Sequence, residues 1–199
     1  MKKLMSAILA TLIFFFFLFS TYWLHINYFK VNVILYSSII DGLIASVGAT
    51  ILLFKLSRFY IFNNFEKLQM AIIWLISGYI FAISIPTVID RSLSFYILEK
   101  IQQRGGGIQL EKFEEVFTKE YITEHRLVDV RLTEQIESGT IKIVKGCVKL
   151  TDRGQRFAKF SRFFRENFLP KKRLIMGKYT DDLTHPFEND EITVNYHCN

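Results

Sequence analysis

Three long segments nearly free of charge constrain this chain more than any other feature. They span residues 4–24, 31–54 and 68–89, and Asp41 is the only charged residue among them. A helix of roughly 20 apolar residues crosses a hydrocarbon core about 30 Å thick. Trp23 and Trp74 lie near the expected helix ends, as aromatic residues at membrane interfaces do. The sequence therefore predicts an α-helical membrane region of three transmembrane helices.

The first segment has a second interpretation, because Lys2 and Lys3 precede it as basic residues precede a secretory signal. Two features favour a helix that is retained in the membrane. The segment is long, and Ser20 and Thr21 near its end are followed by bulky aromatic residues instead of a small-x-small cleavage site. We therefore expect an uncleaved transmembrane helix.

Charge divides the chain into two halves. Residues 1–90 carry six of the 25 Lys and Arg residues and three of the 19 Asp and Glu residues. We expect a membrane region at 1–90, a water-soluble domain at 91–178 and an acidic tail at 179–199. The tail has no Lys or Arg and contains five acidic residues: Asp181, Asp182, Glu188, Asp190 and Glu191.

The soluble half begins with helical periodicity. Apolar residues repeat every four positions over 93–101, which places them on one helical face. Three glycines at 105–107 end this helix, because a glycine run loses too much backbone entropy to continue it. Apolar spacing predicts a second helix over 110–121 and a third over 127–137.

A β-hairpin is expected after the third helix. Residues 140–144 and 147–151 each alternate apolar and polar side chains, so each strand has one apolar face. Lys145-Gly146 lies between them and is a suitable two-residue turn.

This order of three helices, a two-stranded hairpin and a further helix is that of a winged-helix domain. The segment Leu150-Thr151-Asp152-Arg153-Gly154 also resembles the Leu-Thr-x-x-Gly sequence that leaves the wing in many winged-helix regulators. The resemblance covers residues 92–168 and implies a small α+β winged-helix domain after the membrane helices. It also implies a cytoplasmic location and DNA binding through the third helix.

The region that ends with the third helix is acidic, which argues against DNA binding. Residues 99–137 carry six basic and nine acidic residues, and such a surplus does not neutralise phosphates. Contact with proteins is the preferred role for the domain. In the alternative, the nucleic-acid contacts are basic residues of the third helix and the wing: Arg126, Arg131, Lys142 and Lys145.

Positive charge concentrates at 142–178, which carries 12 basic and two acidic residues. Phe157, Phe160, Phe164 and Phe168 fall on one face of an expected helix. In one interpretation they close the domain core and the opposite basic face is solvated. In the interpretation that we prefer, the four phenylalanines pack inward and the basic face contacts anionic lipid headgroups. The expected membrane-surface or partner contacts are Lys159, Arg162, Arg165, Lys171, Lys172 and Arg173.

Asp41 lies near the middle of the second segment, where a carboxylate costs several kcal/mol unless it is paired or protonated. Ser37 and Ser38 lie one turn earlier, and Gly42 allows a neighbouring helix to approach closely. No basic residue is expected at that depth in the other two segments. We predict an intramembrane polar contact at Asp41, Ser37 and Ser38, made either within this bundle or with a partner subunit.

The residues indicate no catalytic, cofactor or metal site. The four histidines are scattered, and neither a nucleophile turn nor a nucleotide loop is present. The glycines at 105–107 lack the preceding strand and the following Lys-Ser/Thr of a phosphate loop. Cys147 and Cys198 are expected as free thiols in a reducing compartment. Enzyme activity of this chain alone is not expected.

The orientation in the membrane is nearly balanced. If the N-terminus is cytoplasmic, five basic residues near the membrane lie on the cytoplasmic side. If the C-terminal domain is cytoplasmic, four do, and the rule that cytoplasmic loops are rich in Lys and Arg barely separates the two. The winged-helix resemblance favours the second arrangement, in a bacterial inner membrane. We expect a non-catalytic accessory subunit that contacts lipid and another membrane protein, with bacterial envelope assembly as a setting. The alternative is a membrane-tethered transcription regulator that binds DNA.

Overall fold

A computed structural model describes residues 1–183 of the chain. Those residues form two compact units, one over residues 1–127 and one from residue 128 onward. The first unit begins with long helices and continues into shorter helical segments. The second unit contains helices and two small hairpins. Glu188, Asp190, Glu191 and Cys198, which belong to the expected acidic tail, lie outside the described residues.

Three helices near the N-terminus are long and apolar enough to span a membrane, as the sequence predicts. The first is α1 (Lys2–Tyr28) and the second is α2 (Ile34–Lys55). The third spanning segment consists of α3 (Asn64–Ser84) and α4 (Pro86–Arg91). Pro86 starts α4 because proline lacks the amide hydrogen that a continuing helix would use.

A polar contact joins the beginnings of α1 and α3. The Lys3 ammonium lies 2.8 Å from the Glu66 carboxylate. That carboxylate also accepts a hydrogen bond from the backbone N–H of Asn63, while the Asn63 side chain accepts one from the N–H of Glu66. This reciprocal capping box stabilises the start of α3. The two helices therefore begin on the same side of the bundle. Helix α2, which lies between them in the chain, runs in the opposite direction.

Small residues bring α2 and α3 into backbone contact. A Cβ atom added to Gly42 would lie 3.0 Å from the Cα atom of Gly78, so neither position has room for a side chain. Serine and alanine side chains extend this buried face of α2: Ser38, Ala45, Ser46 and Ala49. Because lipid is as apolar as leucine, close van der Waals packing of this kind holds membrane helices together.

Trp74 corrects one expectation about the helix ends. It lies in the middle of α3 and is 2% exposed, so it is not an interfacial residue. Its indole ring stacks on Phe14 of α1 with ring centroids 5.7 Å apart. Its indole N–H donates to the Thr11 hydroxyl at 3.4 Å. Trp74 is therefore a core residue of the membrane bundle.

The first unit continues beyond the long helices with α5 (Leu93–Gln103). The expected single helix over 110–121 is instead a series of short segments. They are a 3₁₀ turn at Leu110–Lys112, α6 (Phe113–Glu115), a π-helix at Val116–Tyr121 and α7 (Ile122–Glu124). The side-chain hydroxyls of two threonines bond to backbone carbonyls four residues earlier, which favours bending of a helix: Thr118 and Thr123. Tyr96, Val116 and Tyr121 form the small core of this part.

Helix α8 (Leu127–Glu137) has the bounds that the sequence predicts. The hairpin follows, with β1 (Ile141–Val144) paired antiparallel to β2 (Cys147–Leu150). Lys145 and Gly146 form its turn with φ values of 52° and 75°, which is the left-handed conformation of a type I′ turn. Helix α9 (Asp152–Phe168) comes next. A second hairpin, β3 (Arg173–Ile175) with β4 (Lys178–Thr180), was not predicted.

The Leu-Thr-x-x-Gly segment joins the first hairpin to α9. The Thr151 hydroxyl accepts a hydrogen bond from the backbone N–H of Gly154 and so caps α9. The same hydroxyl donates to the carbonyl oxygens of Gly139 and Thr140 at 2.7 and 3.1 Å. A Cβ atom on Gly154 would collide with the Thr140 carbonyl. The threonine and the glycine therefore have separate packing roles at one junction.

Candidate functional site

Asp41 makes a polar contact inside the membrane bundle with His25, which lies just outside the first apolar segment. The Asp41 side chain is buried in α2 at 1% exposure, and its Oδ1 atom lies 2.7 Å from Nδ1 of His25. His25 belongs to the last turn of α1. The expectation that no basic residue lies at this depth is therefore corrected. A signal was available, because only residues 29–33 separate α1 from α2 and the two helix ends must be neighbours.

The expected serines, Ser37 and Ser38, do not form hydrogen bonds with Asp41 within residues 1–183. Ser38 donates its hydroxyl to the carbonyl of Ile34 at 2.8 Å, within its own helix. Ser37 is half-buried, and no hydrogen bond joins it to Asp41 within residues 1–183. The second carboxylate oxygen of Asp41, Oδ2, has no hydrogen-bond partner among those residues. The contact at Asp41 is thus made within this chain, by His25, and it occupies one of the two oxygens.

A second polar cluster surrounds Lys100 on α5. Lys100 is 5% exposed, and its ammonium lies 2.7 Å from the Glu120 carboxylate and 2.6 Å from the Glu124 carboxylate. Tyr96 donates its hydroxyl to Glu124 at 2.8 Å. Arg104 donates to both carboxylate oxygens of Glu120, at 2.9 and 3.0 Å. One lysine therefore ties α5 to the π-helix and to α7.

The ionisation of this cluster follows from its contacts. Hydrogen bonds from Lys100 lower the pKa of Glu120 and of Glu124. Hydrogen bonds to the same two carboxylates raise the pKa of Lys100. Burial, followed by the hydrogen bond to Glu124, raises the pKa of Tyr96 to about 12. At neutral pH the cluster is a closed network of two carboxylates, their cations and a neutral phenol.

A cleft beside the glycine run is lined by Arg104 and Lys112. Each cation already contacts a carboxylate, Arg104 at Glu120 and Lys112 at Glu115 with an N–O distance of 2.9 Å. These contacts compete with any anionic ligand. Within residues 1–183, no group of three His, Cys, Asp or Glu side chains is arranged to hold a metal ion.

The phenylalanine face of α9 is open to solvent. Phe157, Phe160, Phe164 and Phe168 are between 43% and 64% exposed. The expectation that they close the domain core is therefore wrong. Three of the rings contact one another along the helix, with centroids 6.0 Å apart for Phe160 and Phe164 and 5.3 Å apart for Phe164 and Phe168. The result is a continuous aromatic stripe without a cover in the described chain.

The predicted membrane-surface residues fall into two groups. Lys159 and Arg162 are exposed on α9, and Arg165 on the same helix is half-buried. Lys171 and Lys172 are exposed just after α9, and the half-buried Arg173 begins β3. The structure therefore places them along one helix and at its C-terminal end.

The residues of the DNA-binding alternative are divided between the two units. Arg126 belongs to the first unit and has a left-handed backbone φ of 45°. Arg131 lies on α8, where its guanidinium is 2.8 Å from the Glu134 carboxylate. Lys142 is exposed on β1 opposite Lys149, and Lys145 is exposed in the turn. The ion pair with Glu134 reduces the positive charge that Arg131 offers to a phosphate or base.

Cys147 is disulfide-bonded, which corrects the expectation of a free thiol at this position. It begins β2, at the end of the hairpin turn.

No protein-family model matches the chain, and neither a curated protein nor a solved structure matches it.

Proposed function

We propose that this chain is a non-catalytic, membrane-anchored interaction subunit whose C-terminal unit contacts another membrane protein. The observation that carries this proposal is the exposure of apolar side chains in that unit. On α8 and the first hairpin, seven Val, Ile and Leu side chains are 40% exposed or more: Val128, Val130, Ile136, Ile143, Val144, Val148 and Leu150.

The second unit buries little of its own apolar surface. Between residues 128 and 183, Thr140 and Gly154 are the residues classed as buried, and neither has a large apolar side chain. Leaving apolar surface in water costs about 25 cal/mol per Å². Large exposed apolar patches on a folded unit mark sites of contact with proteins or membranes. A partner that covers α8 and the hairpin would remove this cost.

We further propose that residues 91–178 are a winged-helix module used for protein contact. The order of α5, the segments over 110–124, α8, the first hairpin and α9 supports this proposal. The packing of Thr151 and Gly154 at the hairpin–helix junction also supports it. The pairing of Arg131 with Glu134 favours protein contact over DNA contact.

Two observations bear on which side of the membrane this module faces. Winged-helix modules are overwhelmingly cytoplasmic, whereas a disulfide at Cys147 is typical of an oxidising compartment. We propose the cytoplasmic side of a bacterial inner membrane, with envelope assembly as the setting. Reporter fusions at the C-terminus test this choice.

The test is purification of the full chain from its own membranes in a mild detergent. We expect a membrane protein to copurify in a fixed ratio, and Val148→Asp to remove it. Lys149→Asp is the matched control, because Lys149 lies on the same strand but points to the opposite face. Recovery of chromosomal DNA in place of a membrane protein would support the transcription-regulator alternative. A chain that purifies alone would contradict the proposal.

A further inference from the structure

The aromatic stripe of α9 includes positive charge within its own arc. At 100° per residue, the four phenylalanines at 157, 160, 164 and 168 lie within an arc of about 80°. Arg153 falls inside that arc, and Arg156 falls about 40° beyond one edge. Lys159 and Arg162 lie near the opposite side of the helix. The cations closest to the apolar face are therefore Arg153 and Arg156.

Contacts in the structure agree with this placement. The Arg153 guanidinium carbon lies 5.7 Å from the centroid of the Phe157 ring, within the range of a cation–π contact. Arg153 and Arg156 are both exposed. No ion pair joins either guanidinium to a carboxylate in residues 1–183. An exposed aromatic face edged by unneutralised guanidinium groups is complementary to a surface that is apolar below and anionic above.

We propose that α9 lies in the plane of an anionic bilayer surface, with its phenylalanines at the boundary of headgroups and acyl chains. Arg153 and Arg156 then contact lipid phosphates, and Lys159 and Arg162 face the water. Helices that bind membrane interfaces have this combination of a large aromatic face and basic flanks. This inference rests on the membrane anchoring proposed above and reverses the expected roles of the two helix faces.

Charge and tethering select the bilayer over a second copy of the chain. Two α9 helices packed in parallel through their aromatic stripes would bring Arg153 and Arg156 of each copy towards those of the other. Residues 142–178, with 12 basic and two acidic residues, would add repulsion. A bilayer instead supplies anions at the same level as the guanidinium groups. The three membrane-spanning helices keep α9 at a high effective concentration near that bilayer.

The experiment places an environment-sensitive NBD fluorophore on the full chain in lipid nanodiscs. Cys147→Ser and Cys198→Ser first remove the native cysteines. Phe160→Cys then reports on the aromatic face, and Gln155→Cys is the matched control because it lies about 140° around the helix. Nanodiscs of phosphatidylcholine with phosphatidylglycerol are compared with nanodiscs of phosphatidylcholine alone, each containing doxyl-labelled lipid as a quencher.

In the anionic discs we expect a blue-shifted emission and strong doxyl quenching at position 160, and little of either at position 155. Each basic residue near an anionic surface contributes about fivefold to the ratio of bound to unbound helix. Arg156→Gln should therefore lower that ratio about fivefold, whereas Arg162→Gln should leave it unchanged.

Three results would overturn the proposal. The first is equal quenching at positions 160 and 155 in the anionic discs. The second is a blue shift at position 160 without doxyl quenching, which would show that protein covers the stripe. The third is an equal effect of Arg156→Gln and Arg162→Gln. The nanodiscs contain no other protein, so the outcome is independent of whether the chain has a membrane-protein partner in cells.

Discussion

Nδ1 of His25 lies 2.7 Å from Oδ1 of Asp41, so the last turn of α1 and the first half of α2 share a polar contact inside an apolar bundle. The carboxylate is fully buried, whereas the imidazole is partly exposed. Loss of His25 would therefore leave a buried carboxyl group without a partner, and loss of Asp41 would leave a group that water can still reach.

This asymmetry predicts the outcome of a double-mutant cycle. His25→Leu should destabilise the folded bundle by about 1–3 kcal/mol, because it leaves a buried carboxyl group without its hydrogen-bond partner. Asp41→Leu should cost less, and the double variant should recover most of the stability, since it removes both polar groups. The measurement is helix content during titration with sodium dodecyl sulfate in mixed micelles. Additive effects of the two substitutions would contradict a direct interaction.

The backbone contact between Gly42 and Gly78 predicts a second effect on the bundle. Gly42→Ala and Gly78→Ala should each cost about 1–3 kcal/mol, because the added methyl group must push α2 and α3 apart. Gly48→Ala is the control, since a Cβ atom there meets the Phe17 ring at an ordinary 3.8 Å. The same detergent titration measures all three variants. Equal stability of the Gly42 and Gly48 variants would show that the helices are not in backbone contact.

The Lys100 cluster predicts a pH dependence with a defined sign. The pKa values of Glu120 and Glu124 are lowered in the folded chain, so their contribution is complete above the ordinary glutamate pKa of about 4.3. It is lost as the pH falls through the lowered values. The raised pKa of Lys100 gives a contribution that is complete below about 10.4 and is lost at higher pH.

Lys100→Met should therefore lower thermal stability at pH 7 more than it does at pH 3. The comparison is made by circular dichroism of the full chain in detergent. Lys119→Met is the control, because the Lys119–Glu115 pair is exposed and such pairs contribute little. If the difference in thermal stability between wild type and Lys100→Met does not change with pH, Glu120 and Glu124 do not stabilise the fold through Lys100.

Local patterns in the sequence were enough to predict several elements. The three apolar segments, the bounds of α8 and the Lys145-Gly146 turn all depend on residues close together in the chain.

Features that depend on distant contacts could not be predicted in this way. Whether Phe160 is covered depends on neighbours that no helical pattern reveals, and the burial of Trp74 depends on Phe14 in another helix. The π-helix at Val116–Tyr121 differs from an α-helix by a single hydrogen-bond register, which apolar spacing does not resolve. The contact of His25 with Asp41 depends on how α1 packs against α2, which the spacing within either helix does not show.

Membrane topology is a separate prediction. Three crossings place the two ends of the chain on opposite sides, and the proposal places the C-terminal end in the cytoplasm. Alkaline phosphatase fused at the C-terminus should be inactive, and a green fluorescent protein fusion should be fluorescent. An active phosphatase together with a non-fluorescent green fluorescent protein fusion would reverse the orientation.

The most direct test of an interaction subunit is photo-crosslinking in living cells from single positions of the first hairpin. A photoreactive amino acid at Val148 samples the exposed apolar face, and the same amino acid at Lys149 samples the opposite face of the same strand. We predict a discrete adduct with one membrane protein from position 148 and a much weaker one from position 149. No discrete protein adduct from position 148, with the chain inserted in the membrane at its normal level, would contradict the central claim.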